Sequence, residues 1–250
     1  MIVEGIAELI WERKWGKMMK VTVIHGQSHK GSTYNITQQI IDKISSENKQ
    51  IDEYFMPKDG PDYCIGCYKC FNEGEEFCPQ AERVQKIVKS MEESDIIIID
   101  SPTYCYGMTG QLKTLLDHFG YMWLSHRPKG VMFNKVGIVI STAAGTGANR
   151  VTKSLSQQLF WLGVPKVLRY SKNVNASNWV EVPNKIKVSI ERDTSTLSKK
   201  VEARVRNASP GFKLKFMFNM MRITQKLNKW NMLDKDYWRE NGWLDRERPW

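Results

Sequence analysis

The sequence predicts an α/β protein with a doubly wound parallel sheet of five strands. Three observations carry that expectation. Apolar β-type runs alternate with helical patterns five times between residues 20 and 170, which is the pattern of helices covering a parallel sheet. One run, Asp95-Ile-Ile-Ile-Ile-Asp100, is β-branched throughout its centre, as suits a central strand buried on both faces. Three strand-type runs end in Gly-, Ser- and Thr-containing loops, at 26–33, 101–108 and 141–147. Ligands of such sheets lie beyond the carboxyl ends of the strands, where these loops would converge.

Residues 1–19 precede the first strand. Ile2, Ile6, Leu9 and Ile10 fit one helical face, and Met18-Met19 sit directly before the strand. Translation is expected to start there, with the first 17 residues an extension. Glu4 and Glu8 interrupt the apolar piece and no small-residue cleavage site follows, so it does not read as a secretory signal. A helix is expected from Ser32 to Ser46, with Ile36, Ile40, Ile41 and Ile44 on one face and Ser32 as N-cap. Ile51 to Phe55 reads as the second strand, and Met56 to Pro79 as a loop with four cysteines. Val84, Ile87, Val88 and Met91 mark the second helix, and Leu112, Leu115, Leu116 and Phe119 the third. Val136 to Ile140 is the fourth strand, Val151 to Leu162 the fourth helix, and Val167 to Tyr170 the fifth strand.

After residue 175 the alternation stops. Val182, Ile186 and Ile190, then Leu197, Val201 and Val205, predict helix, and Pro210-Gly211 breaks it. Four of the nine tryptophans fall within 230–250. The expected organisation is therefore an extension at 1–19, a ligand-binding α/β domain at 20–175 with its cysteine-rich loop at 56–79, and a basic, aromatic-rich helical extension at 176–250. Met and aromatic residues at mixed spacing favour packing of that extension on the domain or on a partner subunit of a homo-oligomer, such as a dimer.

The net charge of +10 is uneven: residues 198–250 hold 13 Lys and Arg against 6 Asp and Glu. A solvated basic helix face is favoured here over a membrane surface, and nucleic acid is not expected. No apolar run approaches a spanning helix, and because the N-terminus does not read as a secretory signal the expected location is the cytoplasm. In that reducing compartment, five cysteines favour metal binding or redox work over disulfides.

The stretch VTVIHGQSHKGST, 21–33, organises the rest. A strand that ends in such a loop and opens a helix aims amides, hydroxyls and the helix N-terminus at one spot, which suits a phosphate. It lacks G-x-x-x-x-G-K-[ST] and G-x-G-x-x-G, so neither a nucleoside triphosphate loop nor a dinucleotide cradle is expected. Gly145-Thr-Gly147 is a lone GxG and carries little. What remains suits a single phosphate monoester, neutralised by amides, hydroxyls, and Lys30 or His29.

GQSHKGST, then SPTYCYGMTGQLKTLLD, then STAAG resembles the flavodoxin-like, NAD(P)H-dependent FMN reductase family over roughly residues 20–170. The resemblance implies strand order 2-1-3-4-5 and bound FMN. The phosphate would lie against Ser28, Ser32 and Thr33, with Gln27, His29 and Lys30 as neighbours. The family often has Ser-Pro-Arg where Gln27-Ser28-His29 stands. The second motif would line the flavin ring through Pro102, Thr103, Tyr104, Tyr106, Gly107 and Met108. The third loop would close the other side with Ser141, Thr142, Ala143, Ala144 and Gly145. Cys105 stands where relatives often carry an aromatic residue.

Cys64, Cys67 and Cys70 fall at two-residue gaps, and Cys78-Pro79 follows after seven. Thiolates at that spacing can wrap one compact cluster, whereas zinc more often takes two separated pairs. The run also resembles the cysteine motif of iron–sulfur flavoproteins, which implies a 4Fe–4S cluster; redox-active thiols and zinc stay open as alternatives. The resemblance implies an oxidoreductase that takes electrons from NAD(P)H through FMN to a small-molecule acceptor or to such a cluster. An electron carrier without small-molecule turnover is the second reading, and a basic surface-binding module the third. No general acid or base is assigned, because a flavin supplies the chemistry itself.

Overall fold

The computed structural model describes residues 18–44 and 48–250. The expected extension at 1–17 and the expected helix end at Ser46 lie outside the described residues. Five strands, β1 (Met19–His25), β2 (Lys49–Phe55), β3 (Ile96–Pro102), β4 (Val136–Ala143) and β5 (Lys166–Asn173), form one all-parallel sheet of order β2-β1-β3-β4-β5. Doubly wound α/β was the fold class expected, and this is it. The strands run one to three residues further than the apolar runs implied, because ladder pairing continues through polar residues such as Ser141 and Thr142.

Helices cover both faces. α1 (Ser32–Lys43) follows β1, a single turn α2 (Lys69–Asn72) lies in the cysteine loop, and α3 (Ala81–Glu93), α4 (Gly110–Asp117) and α5 (Ala148–Trp161) follow. The loop read as irregular from sequence thus holds α2 and a 3-10 turn at Glu75–Phe77. Alternation along β3 sorts the core. Ile97 and Ile99 pack with Val84, Ile87 and Met91 of α3, Leu112 and Leu115 of α4, and Val151 and Leu155 of α5. Ile96 and Ile98 point the other way, to Ile36, Ile40 and Ile41 of α1. All four isoleucines are fully buried, each worth about 1.5–3 kcal/mol relative to exposure.

Three helices complete the chain: α6 (Asn184–Val205), α7 (Phe212–Leu227) and α8 (Met232–Glu240). α6 lies beside α1, where Ile190, Leu197 and Val201 join the same core layer and Lys43 pairs with Glu191 at 2.7 Å. α7 and α8 build a third cluster, in which Phe218, Trp238 and Trp243 pack on Leu124 and Phe133 from the loops between α4 and β4. Residues beyond 175 therefore lie against the α/β sheet domain through two separate patches.

Candidate functional site

Two hollows matter, and the strands place the first. Parallel pairing sets His25 level with Phe55 and with Asp100, so the ends of β1, β2 and β3 share one rim. The loops leaving that rim are tied pairwise. Gln27 donates to the Tyr104 hydroxyl at 3.1 Å. Thr33 and Thr142 share a hydroxyl–hydroxyl bond of 2.6 Å. The Thr103 amide donates to the Thr142 carbonyl at 2.8 Å, and its hydroxyl meets Ser141 at 3.1 Å. The three loops that the sequence singled out therefore meet around one cavity of about 190 Å³.

Gly31 caps α1 and, having no side chain, makes no cap hydrogen bond to the first turn. Amides of an uncapped first turn are donors in search of an acceptor, and the helix dipole favours that acceptor being anionic. Gln27, His29, Ser32 and Thr33 line the cavity from this side. Pro102, Thr103 and Tyr104 line it from the second loop, and Thr142, Ala143 and Ala144 from the third. This donor set of amides and hydroxyls, with an aromatic side wall, fits a flavin mononucleotide in its phosphate end.

The other candidates stand elsewhere. Ser28 turns away and donates to the Met56 carbonyl at 2.9 Å. Lys30 lies over the rings of Tyr34 and Phe55, 5.0 and 5.8 Å from their centroids, and is not in the lining. Ser141 is fully buried behind Thr103, and Gly145 lies past the lining residues. Met108 packs partly into the core layer under α4. Tyr106 and Gly107 sit in a tight turn in which Tyr104 and Gly107 exchange both backbone hydrogen bonds. Cys105 and Tyr106 occupy the two left-handed positions of that turn, with φ of 49° and 60°. A tyrosine rarely adopts that conformation, and such strain collects at ligand-binding loops.

The floor was not foreseen. His25 is buried, with Nδ1 2.7 Å from Asp100 Oδ2 and Nε2 3.0 Å from Glu53 Oε1. Each ring nitrogen faces a carboxylate oxygen, and an imidazolium could donate to both at once, so the geometry favours the protonated ring. Burial alone would lower its pKa. The hydrogen bond and charge of Asp100, then those of Glu53, outweigh burial and raise it above the ordinary histidine value. Thr37 donates to the same Asp100 oxygen at 2.7 Å, and Gln38 to the same Glu53 oxygen at 2.6 Å. The only sequence signal was that two central strands each end on a titratable residue. Tyr34, Val174, Ala176 and Ser177 also line the cavity; nothing in their local pattern marks them.

The second hollow, of about 510 Å³, is lined by Cys64, Cys67, Cys70 and Cys78 together with Tyr68, Phe71 and His118. All are free thiols; Cys64 and Cys67 are exposed, Cys70 and Cys78 half-buried. Burial, then the charges of Cys78, Cys64 and Cys67, push the Cys70 thiol up to about 11. Thiolate sulfurs are the donors that a metal centre takes, and a bound cation would offset their mutual repulsion. Among the described residues no three His, Cys, Asp or Glu side chains crowd around one ion position.

Side chains from far along the chain brace this hollow. His118 Nε2 donates to the Asp62 carbonyl at 2.9 Å, which turns Nδ1 toward Cys78 Sγ at 3.8 Å. Arg127 is buried and donates to the Cys70 carbonyl; its other arm reaches Asp234 of α8 at 2.5 Å. His126 also meets Asp234, at 2.7 Å, and Asn231 donates to the Phe71 carbonyl at 3.1 Å. Glu75 closes the group with Lys129 at 2.9 Å. Burial would raise its pKa, but Lys129, its own backbone and Arg127 hold it below the usual carboxylate range. Cys105 stands apart, exposed at the tip of the second loop.

The parallel five-stranded sheet, with its ligand rim at the strand ends, defines a flavodoxin-like α/β protein. The chain belongs to the NADPH-dependent FMN reductase family, whose model matches residues 19–178; it is an NAD(P)H-dependent FMN oxidoreductase related to the iron–sulfur flavoproteins. It is 32% identical over 138 residues to an iron–sulfur flavoprotein of Methanocaldococcus jannaschii, covering 54% of this chain and 67% of that protein. An iron–sulfur flavoprotein of Archaeoglobus fulgidus is 23% identical over 239 residues, covering 90% of this chain and all of that one. Among solved structures, an azoreductase from Bacillus anthracis superposes with a TM-score of 0.58 at 15% identity, over 74% of this chain and 100% of that one; at that identity the likeness speaks for the fold.

Proposed function

We propose that the rim hollow holds FMN by its phosphate and that the cysteine hollow holds a 4Fe–4S cluster through Cys64, Cys67, Cys70 and Cys78. The first-turn amides of α1, with Ser32 and Thr33, would receive the phosphate. Tyr104 and the strained turn at 104–107 would border the ring, and Thr142 to Ala144 would close the opposite side. FMN supplies hydride acceptance from NAD(P)H and electron delivery to an acceptor; the protein orients it and shields it from water. The acceptor would be a small molecule, such as a quinone or another flavin, or the cluster. The observation that carries this reading is the pairwise bonding of the three loops, by Gln27–Tyr104, Thr33–Thr142 and Thr103–Ser141. In this reading residues 20–175 are the flavin-binding unit and 176–250 its brace.

The test is binding of FMN by the whole protein and by Ser32→Trp. The substituted protein is expected to lack bound FMN after reconstitution while keeping its helical content; wild-type affinity would show that the loop is misassigned. For the cluster, anaerobic preparation with iron and sulfide analysis decides, and Cys67→Ser should lose both iron and the broad visible absorbance. A second reading, an electron carrier between proteins, draws support from the exposure of Cys64 and Cys67, which opens the cluster site to a docking partner. Rapid NAD(P)H oxidation with a quinone by the purified protein would rule it out.

A further inference from the structure

Helix α7 is apolar on two opposite sides. Leu214 and Phe218 are buried in the aromatic cluster, and Met217 and Met221 pack half-buried beside them. Two residues away, about 200° round the helix at ~3.6 residues per turn, a second stripe runs through Phe212, Phe216, Met220, Ile223 and Leu227. Nothing among the described residues covers it: Phe212 is 84% exposed, Leu227 73%, and Trp230 continues the line past the helix end at 76%. A helix that serves only its own core carries one apolar stripe, and contiguous exposed apolar surface marks an interaction site.

Charge decides what fits. Residues 203–233 contain seven Lys and Arg and no Asp or Glu. The cations flank the stripe. Lys213 lies over the Phe160 ring and Lys215 over the Trp250 ring, while Arg222 donates to the Asp245 carbonyl. Lys226 and Lys229 are exposed at the far end, and no carboxylate among the described residues forms an ion pair with any of the five. Two copies meeting through this face would bring like charges together. An anionic bilayer instead supplies the missing counter-charge to the flanks and an apolar boundary to the stripe, with Trp230 at headgroup level. No helix among the described residues is long and apolar enough to cross a membrane, so the attachment would lie in the surface plane.

We propose that α7 docks this protein on an anionic lipid bilayer, its inner face holding the helix to the domain and its outer face entering the headgroup layer. Packing was the favoured sequence reading for this segment; the outward stripe is what packing leaves over.

The test uses the full chain with FMN bound, sedimented with phosphatidylcholine vesicles and with vesicles of phosphatidylcholine mixed with phosphatidylglycerol. Binding is expected to the mixed vesicles, far less to the neutral ones, and to fall as salt rises. Phe216→Glu with Ile223→Glu should weaken it roughly tenfold or more, and Lys226→Glu with Lys229→Glu should weaken it on the anionic vesicles by roughly tenfold or more. Both pairs are solvent-facing, so circular dichroism and FMN content should hold; should the first pair unfold the protein, the lysine pair carries the test. No binding to mixed vesicles, equal binding to both, or a solution dimer that Phe216→Glu with Ile223→Glu dissociates would each overturn the proposal. Vesicle binding is read without turnover, so its failure leaves the flavin assignment untouched.

Discussion

The two hollows are built in different ways. The rim hollow rests on the sheet. Its three loops leave neighbouring parallel strands, and ladder register alone sets His25 level with Asp100 and Ile140, and Pro102 level with Thr142 just beyond them. The cysteine hollow rests on a loop of its own, 56–79, stiffened by side chains that arrive from residues 118, 127, 231 and 234. Backbone pairing is cooperative and tolerates side-chain change. A scaffold of buried ion pairs does not, because removing one partner strands a charge away from water. The first hollow should therefore be robust to single substitutions outside its lining, and the second should fail when a remote residue is lost.

The sharpest way to break this contrast is Asp234→Ala. It leaves the buried Arg127 with only the longer Glu75 contact at 3.4 Å, and a loss of about 3 kcal/mol is expected. Urea unfolding gives the loss, and iron retention should fall while FMN affinity holds. Equal loss of both cofactors would show that the hollows are one unit. Thr33→Val is the next largest. It leaves the buried Thr142 hydroxyl partnerless at a cost of about 1–3 kcal/mol, and FMN titration should show weaker binding with iron content unchanged.

A pH series sharpens the comparison further. His25 has a raised pKa in the folded state, so its contribution is complete below the ordinary unfolded value of about 6.5. It is lost as pH rises through the raised folded value. Stability measured across that interval should decline in the wild type, and His25→Gln should flatten this part of the profile. Cys105→Ser is expected to change least, within about 0.5 kcal/mol. Cys105 lies at an exposed turn outside the cysteine hollow, and iron analysis of this variant should match the wild type.

Much of the flavin rim was legible because it is local. The loop 26–33 shows a strand end, a run of small polar residues and a helix start in thirteen consecutive positions counted from Val21. Ser32, Thr33, Thr103, Tyr104 and Thr142 were all named from such stretches and do line the cavity. Ser28 and Lys30 were named for the same reason, yet their side chains face Met56 and the Tyr34–Phe55 rings. Composition marks a loop and not the direction of each side chain within it. The His25–Asp100–Glu53 group was missed because its members stand 75 and 28 residues apart and each alone is an ordinary polar residue of a strand.

By itself the sequence determined the short apolar runs and the period-3.6 patterns, hence five strands, the helices that cover them, the phosphate-type turn and the cysteine spacing. These are properties of neighbouring residues and need no partner to be read. Tertiary structure alone decided that His25 is buried between two carboxylates, that Asp234 braces Cys70 through Arg127, and that no described residue covers one face of α7. Each of these depends on which distant groups share a space from which water is excluded, and no local pattern encodes that.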